Sequence, residues 1–158
     1  MVELLVPASE CDWADIRHLL HEYAGGLGVD LCFQDFDQEL ALLPGAYAPP
    51  RGTMRLARIA GVPAGCCALR SLDAVDYANA CEMKRLYVRP QFRGLGLGRR
   101  LAEEILDAAR LAGYASILLD TLDDMETARA MYQDLGFVEI PPYYYNPVAG
   151  SHYLKADL

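Results

Sequence analysis

The 158-residue chain predicts one α/β domain over residues 1–158, a mixed and mostly antiparallel central sheet flanked by helices. Three observations predict it. Strand-like segments come first in succession and then alternate with helical ones. Residues 115–120, ASILLD, are a continuous apolar run of the kind found in a central strand buried on both faces. Residues 91–100, QFRGLGLGRR, set three glycines between a strand and an amphipathic helix.

Each element follows from local pattern. Residues 2–6, VELLV, read as a short strand ended by Pro7. Ser9 and Asp12 are helix-start residues, and Trp13, Ile16, Leu19, Leu20 and Tyr23 then recur at helical spacing until Gly25-Gly26. Residues 35–43 form a second short helix, followed by the Pro/Gly-rich loop at 44–52, too short to separate domains. Strands at 53–60 and 64–71 flank a turn at Gly61–Pro63, and a third spans Cys81–Val88. Leu97, Leu101, Ile105, Ala108 and Ala112 build one helical face, with Gly113 suited to the left-handed position after the last turn. Met125, Ala128, Tyr132 and Leu135 mark another helix stopped by Gly136, and strands at 137–140 and 152–157 close the chain.

Composition narrows the function classes. Hydrophobic residues make up 53% and charged ones 23%, which excludes a disordered tail or a coiled coil. A formal charge of −8 argues against nucleic acid as partner and mildly favours a cationic second partner such as an amine. The first residues, MVELLVPASE, lack a basic start and a long apolar run, so no signal peptide is expected, and no segment approaches the ~20 apolar residues of a membrane span. The five cysteines, Cys11, Cys32, Cys66, Cys67 and Cys81, show no metal-binding spacing. Adjacent Cys66 and Cys67 would face opposite sides of a strand, so the thiols read as reduced and the protein as cytoplasmic.

The glycine loop carries the chemistry. The first amides of a helix lack intrahelical partners and sit at its positive end, so a strand-to-helix turn is a natural anion site. Gly94, Gly96 and Gly98 permit close backbone approach, and Arg93, Arg99 and Arg100 add charge. The plainer reading is a turn with solvated arginines. No Gly-Lys-Ser/Thr ending supports a nucleoside triphosphate. The spacing is GxGxG rather than the GxGxxG of dinucleotide sites, although Asp120 lies at the distance of their acidic residue and keeps that alternative open.

Gln91-Phe92-Arg93-Gly94-Leu95-Gly96 resembles the defining Gln/Arg-x-x-Gly-x-Gly/Ala loop of the GNAT N-acetyltransferase superfamily. Lys84–Val88 with Arg89-Pro90 resembles that family's fourth strand, and Ala128–Phe137 its A-x-x-x-Y-x-x-x-G-F segment. The resemblance implies acetyl-CoA as co-substrate and no metal. Its pyrophosphate would lie on Arg93, Gly94, Leu95, Gly96, Leu97, Gly98 and Arg99, and its pantetheine arm along Leu86, Tyr87 and Val88. It also places Ala128 at the cofactor. Many relatives carry Asn where this chain has Met125, so Thr121 or Thr127 would take over that hydrogen bond. A small-molecule or peptide amine is the implied acceptor, no nucleic acid or membrane is, and family members often form homodimers.

Acyl transfer to an amine needs a proton acceptor, because an alkylamine of pKa ~10 is protonated at neutral pH. Glu82 is the candidate, and the competing reading is a strand-face Glu paired with Lys84 or a nearby arginine. Tyr132 falls on the Tyr that in many relatives protonates the departing thiolate, and the competing reading is a ring packed in the core. His18, His21 and His152 lie far in sequence from every cysteine, so a Cys nucleophile is not expected. The run Tyr143-Tyr144-Tyr145 either lines the acceptor cleft or plugs one end of the sheet. Asp35, Asp37 and Glu39 hint at a cationic acceptor. Two functions follow: an acetyl-CoA-dependent N-acetyltransferase acting by direct transfer in a ternary complex, or a non-catalytic acyl-CoA-binding sensor.

Overall fold

β1 (Val2–Leu5) stops before Pro7, and α1 (Glu10–Gly26) then begins with a reciprocal cap. Ser9 Oγ accepts the Asp12 amide at 3.1 Å, while Asp12 Oδ2 accepts the Ser9 amide at 3.2 Å and the Ala8 amide at 3.0 Å. Those amides, followed by the Arg58 guanidinium, hold the Asp12 carboxyl down at about 2. The computed structural model describes residues 1–26, 35–122 and 126–158. Cys32 and Met125, the second of which stands where relatives carry Asn, lie outside them.

The second helix, α2 (Phe36–Ala41), is shorter than the expected 35–43. Pro44 disfavours helical backbone at the residue before it, and a single 3-10 turn at Gly45–Tyr47 follows. β2 (Thr53–Ile59) and β3 (Val62–Leu72) form a hairpin whose turn is Ala60-Gly61, not Gly61–Pro63. Both turn residues have positive φ, 51° and 80°, the geometry that matches strand twist. Pro63 is therefore already in β3, opposite Arg58 where the pairing register shifts.

β4 (Ala80–Val88), α3 (Leu97–Leu111), β5 (Ser116–Leu122), α4 (Glu126–Asp134), β6 (Val138–Ile140) and β7 (Ser151–Asp157) complete the chain. The seven strands are ordered β1-β2-β3-β4-β5-β7-β6, with every neighbouring pair antiparallel except β4 and β5. This mixed sheet is incompatible with the parallel frame of a dinucleotide fold, and it sets aside that reading of Asp120.

The sheet has a core on each face. On one, Leu97, Leu101 and Ile105 of α3 pack on Cys67, Met83, Ile117 and Leu119. On the other, Ile16, Leu19 and Leu20 of α1 and Phe36 and Leu40 of α2 cover Leu56, Cys66 and Ala68. Leu101 and Ile105 are fully buried, each contributing about 1.5–3 kcal/mol. Cys66 and Cys67 face opposite cores, as strand alternation requires.

Both long signatures of the sequence end in the same local device. After α3, Gly113 at φ 88° donates to the Arg110 carbonyl and Tyr114 to that of Ala109. After α4, Gly136 at φ 100° donates to the Gln133 carbonyl and Phe137 to that of Tyr132. This is the Schellman motif, whose hydrophobic contact is here Phe137 against Tyr132, edge to face at 5.5 Å. The spacing Y-x-x-x-G-F is thus a helix stop that also fixes the Tyr132 ring.

Candidate active site

A break in the sheet organises the site. β4 pairs with β5 only through Ala80–Glu82 against Ser116–Leu118, although β4 continues to Val88 and β5 to Leu122. The cause is a bulge on the opposite edge of β4. Cys66 pairs with Tyr87 and Ala68 with Lys84, so Arg85 and Leu86 together face one residue of β3. Arg85 takes φ 62°, a left-handed conformation that costs a non-glycine residue about 1–2 kcal/mol. Its guanidinium holds it there. Nε and Nη2 donate to Glu39 of α2 at 3.0 and 2.9 Å, and the Phe36 and Tyr23 rings lie 5.1 and 5.7 Å from its central carbon.

Beyond the bulge, Leu86, Tyr87 and Val88 have no strand partner on the β5 side among the described residues. Leu86 and Val88 face the α3 core, whereas Tyr87 faces α1 and donates to Glu22 at 3.1 Å. Gly65 of β3 sits behind them, where a Cβ would meet the Tyr87 carbonyl at 2.6 Å. An isolated glycine in a strand pattern signals such close approach, so Gly65 was findable in the sequence.

The glycine loop lies at the far end of this free edge, Gly98 packing against the Val88 side chain. Gly94 and Gly96 adopt φ 82° and 76°, with open space where a Cβ would project. Gly96 caps α3 with no side-chain cap hydrogen bond among the described residues, while Leu95 is exposed and Leu97 anchors the helix in the core. Arg93 donates from Nε to the Val88 carbonyl at 2.9 Å and lies over the Tyr87 ring. Arg99 is paired with Glu103 and Asp134, so two carboxylates already meet its charge.

Glu82 and Tyr132 lie on opposite faces of the sheet. Tyr132 is buried in the α3-side core, against which Ala128 of α4 packs partly buried, and Thr121 of β5 is buried as well. Burial pushes the Tyr132 phenol well above its ordinary value, and Cys67, Tyr23 and Asp120 push the same way. Tyr23 and Asp120 belong to the opposite face.

Glu82 is 1% exposed and held at both oxygens. Arg70 Nε donates to Oε1 at 2.8 Å and the Tyr143 hydroxyl to Oε2 at 2.6 Å. The arginine partner is Arg70, on the neighbouring strand, and Tyr143 adds a hydrogen bond that sequence spacing did not suggest. Asp120 is fixed in parallel, accepting from the Tyr144 hydroxyl at 2.6 Å and the Asn146 amide at 3.2 Å. Burial raises its carboxyl above the ordinary range. The rings of Tyr143 and Tyr144 close on Tyr153 at 5.5 and 5.8 Å, whereas Tyr145 is exposed. Tyr143 and Tyr144 thus form one wall of a cavity of about 460 Å³ that also touches Glu39, Tyr47, Arg70 and Lys84. That volume suits a small ligand.

Burial pushes the Cys66 and Cys81 thiols up to about 12, against thiolate formation. His18 pairs with Glu22 on its own helix, and His152 with Glu139. Among the described residues no group of His, Cys, Asp and Glu is arranged to hold a metal ion, and no helix is long and apolar enough to cross a membrane.

The split sheet thus carries a glycine loop at the start of α3 and a cavity lined by Glu82 and Tyr143 beside β4. Residues 13–137 match the acetyltransferase (GNAT) family model. The chain is 41% identical over 148 residues to an uncharacterized N-acetyltransferase of Schizosaccharomyces pombe, covering 93% of this chain and 89% of the relative. Its fold matches an acetyltransferase of Streptococcus agalactiae with a TM-score of 0.80 at 21% identity, over 99% of this chain and 98% of the other. It also matches a Salmonella typhimurium structure described with its cofactor acetyl-CoA, TM-score 0.74 at 19% identity, over 99% and 94%. The chain belongs to the GNAT acetyltransferase family and is an acyltransferase.

Proposed function

We propose that this protein moves an acetyl group from acetyl-CoA to a primary amine by direct transfer in a ternary complex. The observation that carries the reading is the β4–β5 opening, which begins just past Glu82 of the cavity lining, while β4 itself runs on to Val88 ahead of the glycine loop. The fit to acetyl-CoA rests on Gly94 and Gly96, whose positive φ and missing Cβ leave a cradle of amides at the α3 terminus. In this reading residues 93–99 hold the diphosphate, and the free edge of Leu86, Tyr87 and Val88 binds the arm. Thr121 and Ala128 border its far side.

When bound, acetyl-CoA supplies the thioester whose carbon–sulfur bond breaks as the amine nitrogen bonds to the acetyl carbon. Glu82 takes the amine proton, directly or through a water, from its fixed place between Arg70 and Tyr143. Tyr132 gives a proton to the departing sulfur, and its raised pKa keeps the phenol protonated until that charge develops. The free thiols of Cys11, Cys66, Cys67 and Cys81 support a reducing, cytoplasmic setting.

Free-thiol release from acetyl-CoA on incubation with pooled amines tests the reading. Release that depends on an amine is expected. Tight acetyl-CoA binding without release for any acceptor would instead favour an acyl-CoA sensor. A Gly96→Ala variant is expected to weaken acetyl-CoA binding roughly tenfold by calorimetry, since alanine resists the left-handed backbone by about 1–2 kcal/mol. An unchanged Kd would remove the loop from the binding site.

A further inference from the structure

Glu82 borders the cavity, yet its side chain is only 2% exposed and both of its oxygens are occupied. Arg70 Nε donates to Oε1 at 2.8 Å, and its full positive charge keeps that oxygen. Oε2 accepts the Tyr143 hydroxyl at 2.6 Å, a short bond from a neutral donor. A proton that reaches Glu82 therefore lands on Oε2, where Tyr143 already points one.

Tyr143 is half-buried and lines the same cavity. Its ring is fixed on Tyr144 at 5.4 Å and on Tyr153 at 5.5 Å, which sets where the hydroxyl stands. Among the described residues the bond to Glu82 is the one hydrogen bond of that hydroxyl, and a phenol oxygen that donates can also accept. Burial raises the phenol far above its ordinary value, and Glu82, Asp120 and Tyr144 push the same way. The phenol therefore stays protonated at neutral pH, and its oxygen takes a proton only while giving its own away.

We infer that Tyr143 is a catalytic proton carrier: its oxygen takes the surplus proton of the bound ammonium while its own proton passes to Glu82 Oε2. This rests on the acetyl-transfer reading above and names the route by which Glu82 receives the proton. A primary ammonium nitrogen loses two protons on becoming a secondary amide. The first crosses Tyr143, breaking one N–H and one O–H bond and making one O–H bond on Tyr143 and another on Glu82. The phenol is regenerated, the carboxylate becomes a neutral acid, and the amine keeps the lone pair that attacks the thioester. As the N–C bond forms and the C–S bond breaks, the second proton is passed overall to the sulfur. Glu82 then returns its proton to solvent, with Arg70 still on Oε1.

The test is the single-turnover rate of thiol release with saturating acetyl-CoA in Tyr143→Phe, which keeps the ring on Tyr144 and Tyr153 and removes the hydroxyl. At neutral pH the rate is expected to fall roughly a hundredfold, the scale of a lost proton-transfer partner, while the calorimetric Kd of acetyl-CoA holds. A rate within a factor of about two, or a faster one, would overturn the inference, because Glu82 would then take the proton unaided once Oε2 is opened. The deficit should shrink as pH rises toward ~10, where the amine arrives already neutral. An equal deficit at every pH would mark Tyr143 as a support for its loop and overturn the role as well. In a Glu82→Gln background the same substitution should cost less than about threefold, since groups acting in series are lost together. A full second loss would put the two residues on separate paths and remove the relay. If Tyr143→Phe fails to fold by circular dichroism, Tyr143→Met, whose flexible side chain fills the space without a hydroxyl, carries the same expectations. Release by the wild-type protein that the substitution leaves intact removes the relay alone. No release by the wild-type protein with any amine removes the transfer and the relay together.

Discussion

Replacing Tyr132 with Phe is expected to lower kcat roughly a hundredfold, the scale of a lost general acid, while acetyl-CoA affinity and the fold hold. The substitution keeps the ring that packs edge to face on Phe137 and fills the α3-side core. Only the hydroxyl goes, so stability should move by no more than about 1 kcal/mol. A buried phenol with a raised pKa is fully protonated at neutral pH, which is the state a donor to a thiolate needs. Single-turnover rates with saturating acetyl-CoA, beside the calorimetric Kd, separate chemistry from binding. Survival of kcat within a factor of two or so would show that Tyr132 is there for packing alone.

Glu39→Gln is expected to destabilise the protein by about 3–5 kcal/mol, read from urea unfolding. The Arg85 side chain is only 2% exposed and that of Glu39 17%, so the variant strands a buried guanidinium without its counter-charge. Removing one partner of such a pair costs far more than the pair itself contributes, because the remaining ion keeps its desolvation penalty. The consequence reaches the site. Arg85 holds the left-handed bulge that parts β4 from β5, so acetyl-CoA affinity should fall together with stability. A loss below about 1 kcal/mol would mean that the pair behaves like an exposed one.

The sequence was most informative where structure is set by near neighbours. The Schellman ends at Gly113 and Gly136, the cap of Ser9 with Asp12 and the glycine loop all depend on residues within a few positions of one another. Their backbone geometry could be read directly. Pattern over a few residues misplaced only edges, as at Ala60-Gly61, where the tight turn pulled Val62 and Pro63 into the strand.

The acceptor side was harder to read, because its decisive contacts join distant segments. Asp35, Asp37 and Glu39 looked like an acidic wall for a cation, yet Glu39 is matched by Arg85, 46 residues away. Glu82 stood as a candidate base with a possible arginine partner. The fold supplied Arg70 by strand pairing and Tyr143 from 61 residues further on, and so left Glu82 fixed at both oxygens. Arg70 itself carried no local signal.

The sequence by itself therefore determined the fold class, the backbone of the glycine loop and the helix stop that fixes the Tyr132 ring, because helix caps, glycine backbone freedom and strand alternation are local properties. Tertiary structure alone decided how far β4 and β5 separate and which charges in the cleft are already neutralised. An ion pair's partner depends on which strands and helices come to lie side by side, and the spacing of residues along the chain does not encode that.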